Sequence, residues 1–191
     1  MASPPPLRVL GICGSLRQKS FNMFALKTAG ELMPPEIKLE ITSIAELPMY
    51  NQDVHDKGVP PPVARFQDEI TQADGILIAS PEYNFSLSGA LKNAIDWLSR
   101  LQPMPFVDKP IALISASLGP MGGARVQYDL RRILGQLYTF IMVRPEIFIG
   151  SAATKFDAEG RLTDEPTRKL LGETMVAFRD WIRRFPKAAV K

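Results

Sequence analysis

Two uninterrupted apolar runs, GILIAS at 75–80 and PIALISAS at 110–117, constrain this chain more than any other feature. Each is too short to bury itself as a helix, and each is bounded by turn-forming residues. Both therefore read as strands covered on the two faces of a parallel sheet. Helical patterns follow them, at about 88–101 and 123–138. The same alternation runs through the rest of the chain. LRVLGIC at 7–13 precedes a helical pattern at 20–33, and IKLEITSI at 37–44 alternates as a strand nearer the sheet edge does. GVPPPVARF reads as a loop entering a helix near 61–73, because proline is tolerated in a first turn. IMVRPEIFIG at 141–150 offers a fifth strand, with Pro145 arguing for an edge or a break, and a last helix spans about 165–185.

Strand followed by helix, repeated five times, predicts a doubly wound α/β sheet with helices on both faces. The order expected is the flavodoxin-like 2-1-3-4-5, in a single domain over 1–191 with flexible ends at 1–6 and 186–191. The chain is long enough for one sizeable core. In such sheets ligands bind beyond the carboxyl ends of the strands, at the switch point between the first and third. That rule directs attention to the loops after Cys13, Ser80 and Ser117.

The first loop, GSLRQKSFN at 14–22, leaves a strand and enters a helix, so its amides and positive helix end suit an anion. Ser15, Ser20 and Asn22 add donors, and Arg17 has the fork that grips phosphate oxygens. It is neither a Walker A loop, since Gln18 stands where glycine is required, nor a dinucleotide fingerprint, since GICGSL has two glycines at the wrong spacing. A serine-rich helix cap is the plain alternative. In the second loop, residues 81–84 place backbone groups and the Tyr83 ring where a flat heterocycle could sit; otherwise Pro81 ends a strand, Tyr83 packs on the surface and Ser88 caps a helix. In the third, Gly119, Gly122 and Gly123 would let a ligand approach the backbone, or form a flexible turn. Phosphate donors on one loop and a frame for a planar ring on two others are what a flavin mononucleotide requires.

GSLRQKSFN, PEYNFSLSGALKNAIDWLSR and SASLGPMGGARVQYDLRRIL resemble the NAD(P)H-dependent FMN reductases, and within them the bacterial quinone and chromate reductases. The likeness runs over about 7–185. It implies FMN as cofactor and NAD(P)H as co-substrate. It also implies that Ser15, Arg17, Ser20 and Asn22 hold the phosphate, with Leu16 and Phe21 alongside them in the cofactor site, that Pro81, Glu82, Tyr83 and Asn84 line the ring, and that Ser117, Gly119 and Gly122 flank its other edge. The activity implied is two-electron transfer to quinones, with chromate, azo compounds and free flavin as other acceptors. Nicotinamide and acceptor would use one place in turn, in a ping-pong cycle. Members of the family are dimers or homotetramers, and Arg125, Tyr128 and Glu146 would be contacts between dimers. The broadly apolar helix containing Leu91, Ile95, Trp97 and Leu98 would either bury a second side against another subunit or use Trp97 to close its own core.

Residue usage excludes several other chemistries. With one Cys and one His in the chain, no metal-ligand spacing and no disulfide framework exists. Cys13 reads as a small core residue in a protein of a reducing compartment, the cytoplasm, and His55 as a surface residue in a polar loop. MASPPPLR does not read as a secretory signal, and no apolar run approaches the ~18 residues of a membrane span. A net charge of +3 without a dense basic patch argues against nucleic acid. No residue is assigned a catalytic role of its own, so the chemistry belongs to a cofactor. Two rival readings are a flavodoxin-type electron carrier, which a pI near 9.1 disfavours, and a flavin-free binding or regulatory module.

Overall fold

A computed structural model describes residues 5–185. Most of the flexible ends expected at 1–6 and 186–191 thus lies outside the described residues. The chain runs β1 (Leu7–Cys13), α1 (Phe21–Glu31), β2 (Ile37–Thr42), a single turn α2 (Gln52–His55), α3 (Pro61–Gln72), β3 (Gly75–Ser80) and α4 (Gly89–Ser99). It continues through β4 (Pro110–Ala116), α5 (Ala124–Gly135), β5 (Phe140–Ile141), β6 (Phe148–Ile149) and α6 (Glu165–Arg183). The strands are all parallel and lie in the order β2-β1-β3-β4-β5, with β6 also paired to β4. This is the flavodoxin-like arrangement.

Every residue of β3 and β4 is buried, which is why their sequences carry no polar alternation. Alternate side chains serve opposite faces. Ile76, Ile78, Ile111 and Leu113 pack under α3, α4 and α5, whereas Leu77, Ala79, Ala112 and Ile114 pack under α1 and α6. Burying such runs on both faces stabilises the sheet by roughly 25 cal/mol per Å² of apolar surface. β2, at the sheet edge, is covered unevenly rather than in strict alternation: Ile37 and Thr42 are buried, whereas Lys38 and Ile41 are exposed.

The fifth strand differs from the expectation over 141–150. It is two pieces, of which Phe140–Ile141 pairs beside the amino end of β4 and Phe148–Ile149 beside the carboxyl end. Pro145 lies between them and has no amide to donate, so the ladder cannot continue through it. Gln127, fully buried on α5, donates to Ile147 O at 2.8 Å and Ser115 Oγ at 2.9 Å, which holds the second piece against β4.

The breadth of α4 is accounted for within one chain. Trp97 is completely buried, donates to Pro48 O at 2.7 Å and meets Tyr50 edge-on at 4.9 Å, so the loop before α2 covers its outer side. His55 corrects the surface expectation: it is half-buried, with its ring 5.8 Å from that of Trp97. Cys13 is buried as expected, and burial pushes its thiol above the usual value.

Candidate functional site

At the carboxyl ends of β1, β3 and β4 the three loops meet around a crevice of ≈ 310 Å³. Its lining contains Ser15, Arg17, Ser20, Phe21 and Asn22 from the first loop, Pro81, Glu82 and Tyr83 from the second, and Ser117 and Gly119 from the third. Two more residues that sequence reasoning passed over, Ala116 and Leu118, complete it. Both stand beside residues singled out in SASLGP, so their position at the end of an apolar run was the available signal.

Loop one is held by its own polar groups. Ser20 caps α1, its hydroxyl accepting from Met23 N at 3.5 Å, and Arg17 N donates to Ser15 Oγ at 3.4 Å. The first turn of α1 carries no acidic residue, and the amides of Phe21 and Asn22 find no acceptor among the described residues. The Arg17 side chain is exposed, forms no ion pair among those residues, and donates only to Lys19 O at 3.0 Å. Free helix amides, two hydroxyls and an unpaired guanidinium make a seat for a compact dianion. Asn22 contributes differently from the expectation that its side chain donates to the anion. Its amide donates to Ala116 O at 2.9 Å and accepts from Ala116 N at 2.8 Å, tying α1 to the last residue of β4.

Loop two turns sharply. Tyr83 and Ser86 exchange backbone hydrogen bonds of 2.9 and 3.0 Å around Asn84 and Phe85, both with positive φ. Asn84 sits at the tip of that turn and does not line the crevice. Glu82 reaches away from the tip: its carboxylate accepts from Arg125 N at 3.0 Å and Val126 N at 3.3 Å and pairs with the Arg125 guanidinium at 3.1 Å. It thereby caps α5, whose own N-cap, Gly123, has no side chain to do so. Ser88 caps α4 and donates to Gly14 O at 2.5 Å, joining loop two to loop one.

In loop three, Ser117 Oγ donates to Gly119 O at 3.1 Å, and a Cβ placed on Gly119 would meet open space. Gly119 thus allows close approach to the backbone. Gly122 departs from its expected role beside a ring and does not line the crevice. It is fully buried with φ +60, and a Cβ there would lie 2.6 Å from Phe148 C. The position is glycine because it packs against β6. Leu16 lies outside the crevice too, lining an apolar hollow of ≈ 410 Å³ that shares Arg17 and Tyr83 with it.

Of the residues implied as contacts between dimers, Arg125 serves Glu82, Glu146 pairs with Arg131 at 3.4 Å, and Tyr128 is exposed beside Phe148. No group of His, Cys, Asp and Glu that could hold a metal occurs among the described residues. No helix among them is long and apolar enough to cross a membrane.

The topology and this crevice together define a flavodoxin-like α/β fold with an open crevice at the switch point between β1 and β3. Residues 7–154 match the NADPH-dependent FMN reductase family, and the chain belongs to that family. It is 47% identical over 178 residues to an NAD(P)H-dependent FMN reductase of Pseudomonas aeruginosa, covering 93% of this chain and 96% of that one. To a quinone reductase of Escherichia coli K12 it is 41% identical over 181 residues, with the same coverages. The solved structure of FerB, a flavoenzyme NAD(P)H:(acceptor) oxidoreductase from Paracoccus denitrificans, superimposes with a TM-score of 0.87 at 36% identity, over 95% of this chain and 100% of that one. The protein is therefore an oxidoreductase, with FMN as cofactor and reduced nicotinamide as co-substrate. The donor set fits that cofactor: a dianion seat with no competing carboxylate at α1 adjoins Pro81, Tyr83, Leu118 and open backbone at Gly119.

Proposed function

We propose that this chain is a cytoplasmic FMN-dependent NAD(P)H oxidoreductase that delivers two electrons to quinones, with chromate, azo compounds and free flavin as further acceptors, in a ping-pong cycle. The observation that carries this reading is the meeting of an anion seat and a ring-sized wall in one crevice, built from three loops far apart in sequence. Bound FMN would supply the redox chemistry, two-electron exchange between nicotinamide and acceptor. The chain supplies position and field. Ser15, Ser20, Arg17 and the Phe21 and Asn22 amides bind the phosphate. Pro81, Tyr83 and Leu118 offer apolar surface to the ring, and backbone amides of loops two and three stabilise negative charge developing beside them. Glu82 is the one carboxylate on the lining, and α5 occupies it, so no side chain is assigned proton transfer.

The names of the curated relatives support quinones as the first acceptor class. The chain is proposed to act as one FMN-binding domain and as a homo-oligomer, a dimer or a dimer of dimers. α4 does not argue for this, since its apolar breadth is met internally. Anaerobic titration of the FMN-loaded protein with NADH and with NADPH, followed by an acceptor panel, tests the proposal. One competent nicotinamide and parallel double-reciprocal plots with quinone are expected. Intersecting plots, or reduction without turnover, would overturn it.

A further inference from the structure

The hairpin that carries Tyr83 has a turn its own sequence does not favour. Asn84 and Phe85 occupy the two central positions with φ of 51° and 69°. A two-residue turn left-handed at both positions prefers Asn followed by Gly, and a bulky aromatic there is strained. Among the described residues, and apart from its two internal backbone bonds, the polar and ring ties that hold this turn come from the first two turns of α5. Glu82 accepts from the Arg125 and Val126 amides. The Arg125 guanidinium lies 4.3 Å from the centre of the Phe85 ring. The Ser86 hydroxyl donates to the Asp129 carboxylate. Tyr83, at the base of this hairpin, stands between two hollows: it lines the crevice of ≈ 310 Å³ and also the apolar hollow of ≈ 410 Å³ that includes Leu16 and Ala90.

We propose that α5 is the template for the strained hairpin, so that Glu82, Arg125 and Asp129 act as positioning residues fixing Tyr83 as the partition between the crevice and the neighbouring apolar hollow. Phe85 in place of glycine makes the turn dependent on α5: it forgoes a self-sufficient turn and gains a stacking surface for Arg125. When the ties loosen, the Tyr83 ring can retreat toward the second hollow, and the crevice admits wider planar acceptors. The second half of this inference rests on the acceptor role proposed above; the template itself does not.

Hydrogen exchange at the Tyr83 and Ser86 amides of the flavin-free protein tests the template directly. Asp129→Asn and Ser86→Ala are each expected to speed exchange there by about tenfold, the factor for losing one hydrogen bond to a charged group. In a Phe85→Gly background, where the turn holds itself, Asp129→Asn should change exchange by less than about twofold. In the FMN-loaded enzyme, Asp129→Asn should raise the kcat/KM ratio of a two-ring over a one-ring quinone by about threefold, within the range a pocket's fit controls. Adding Phe85→Gly should restore the ratio. Stabilisation of the protein by inorganic phosphate should be the same in all variants, since the α1 seat is untouched. Equal exchange effects in the two backgrounds, or none in either, overturn the template. An unmoved quinone ratio overturns the partition. A chain that binds no FMN overturns the proposed function and the partition with it, while the exchange result still decides the template.

Discussion

Two helices, α1 and α5, begin where strands of the same sheet end, and their first turns are finished in opposite ways. α1 has a serine cap, no acidic residue in its first turn and two amides without an acceptor among the described residues. α5 has a glycine cap, and its amides are taken by Glu82, a residue 43 positions from Arg125. Both ends carry the partial positive charge of a helix N-terminus. Only one is left for a ligand. The protein thus separates its two helix ends, leaving one positive end open and filling the other from within.

The largest test of that contrast is Arg17→Ala. Losing a bidentate charge-assisted contact at the open end should weaken FMN binding by roughly 30- to 100-fold, read by fluorescence titration. Near-normal affinity would mean the seat does not depend on this arginine. Ser20→Ala removes the cap that frames the same amides. It should cost about 1 kcal/mol of stability, lower Tm by about 2–4 °C and weaken FMN by about fivefold. At the filled end, Glu82→Gln should lower Tm by about 1–3 °C while changing FMN affinity by no more than about twofold. A loss of affinity as large as that of Arg17→Ala would erase the distinction between the two helix ends.

The smallest expected effect is one of pH. The Ser86 hydroxyl first, and Arg132 second, hold the Asp129 carboxyl below its ordinary value. A carboxylate whose value is lower in the folded chain contributes stability above its unfolded value, near about 4, and that contribution disappears as pH falls through the folded value. Thermal melts of wild type and Ser86→Ala should therefore differ slightly at neutral pH and converge in acid. A difference that grows in acid would reverse the sign.

The frame of the molecule was legible because its strongest signals are local. β3 and β4 are continuous apolar runs whose burial leaves no ambiguity of face, and the loops after β1, β3 and β4 followed from topology. The split of β5 from β6 was legible only as a warning at Pro145, since two-residue strands have no period to detect. What could not be read were the long-range attachments. Asn22 and Glu82 look like free polar groups in a motif, and nothing local to either shows that Ala116 or α5 will claim it. The same holds for Trp97: an apolar helix face states that it will be covered, but not that the cover is the Pro48–Tyr50 stretch of its own chain.

The bidentate clasp of Asn22 on Ala116 joins residues 94 positions apart, directly beneath the open end of α1. An anion drawn into that end leans on a beam nailed to the opposite half of the chain. Filling it should brace both halves at once, so a phosphate buffer should shift the entire melting curve upward relative to chloride of equal ionic strength, without splitting it into stages.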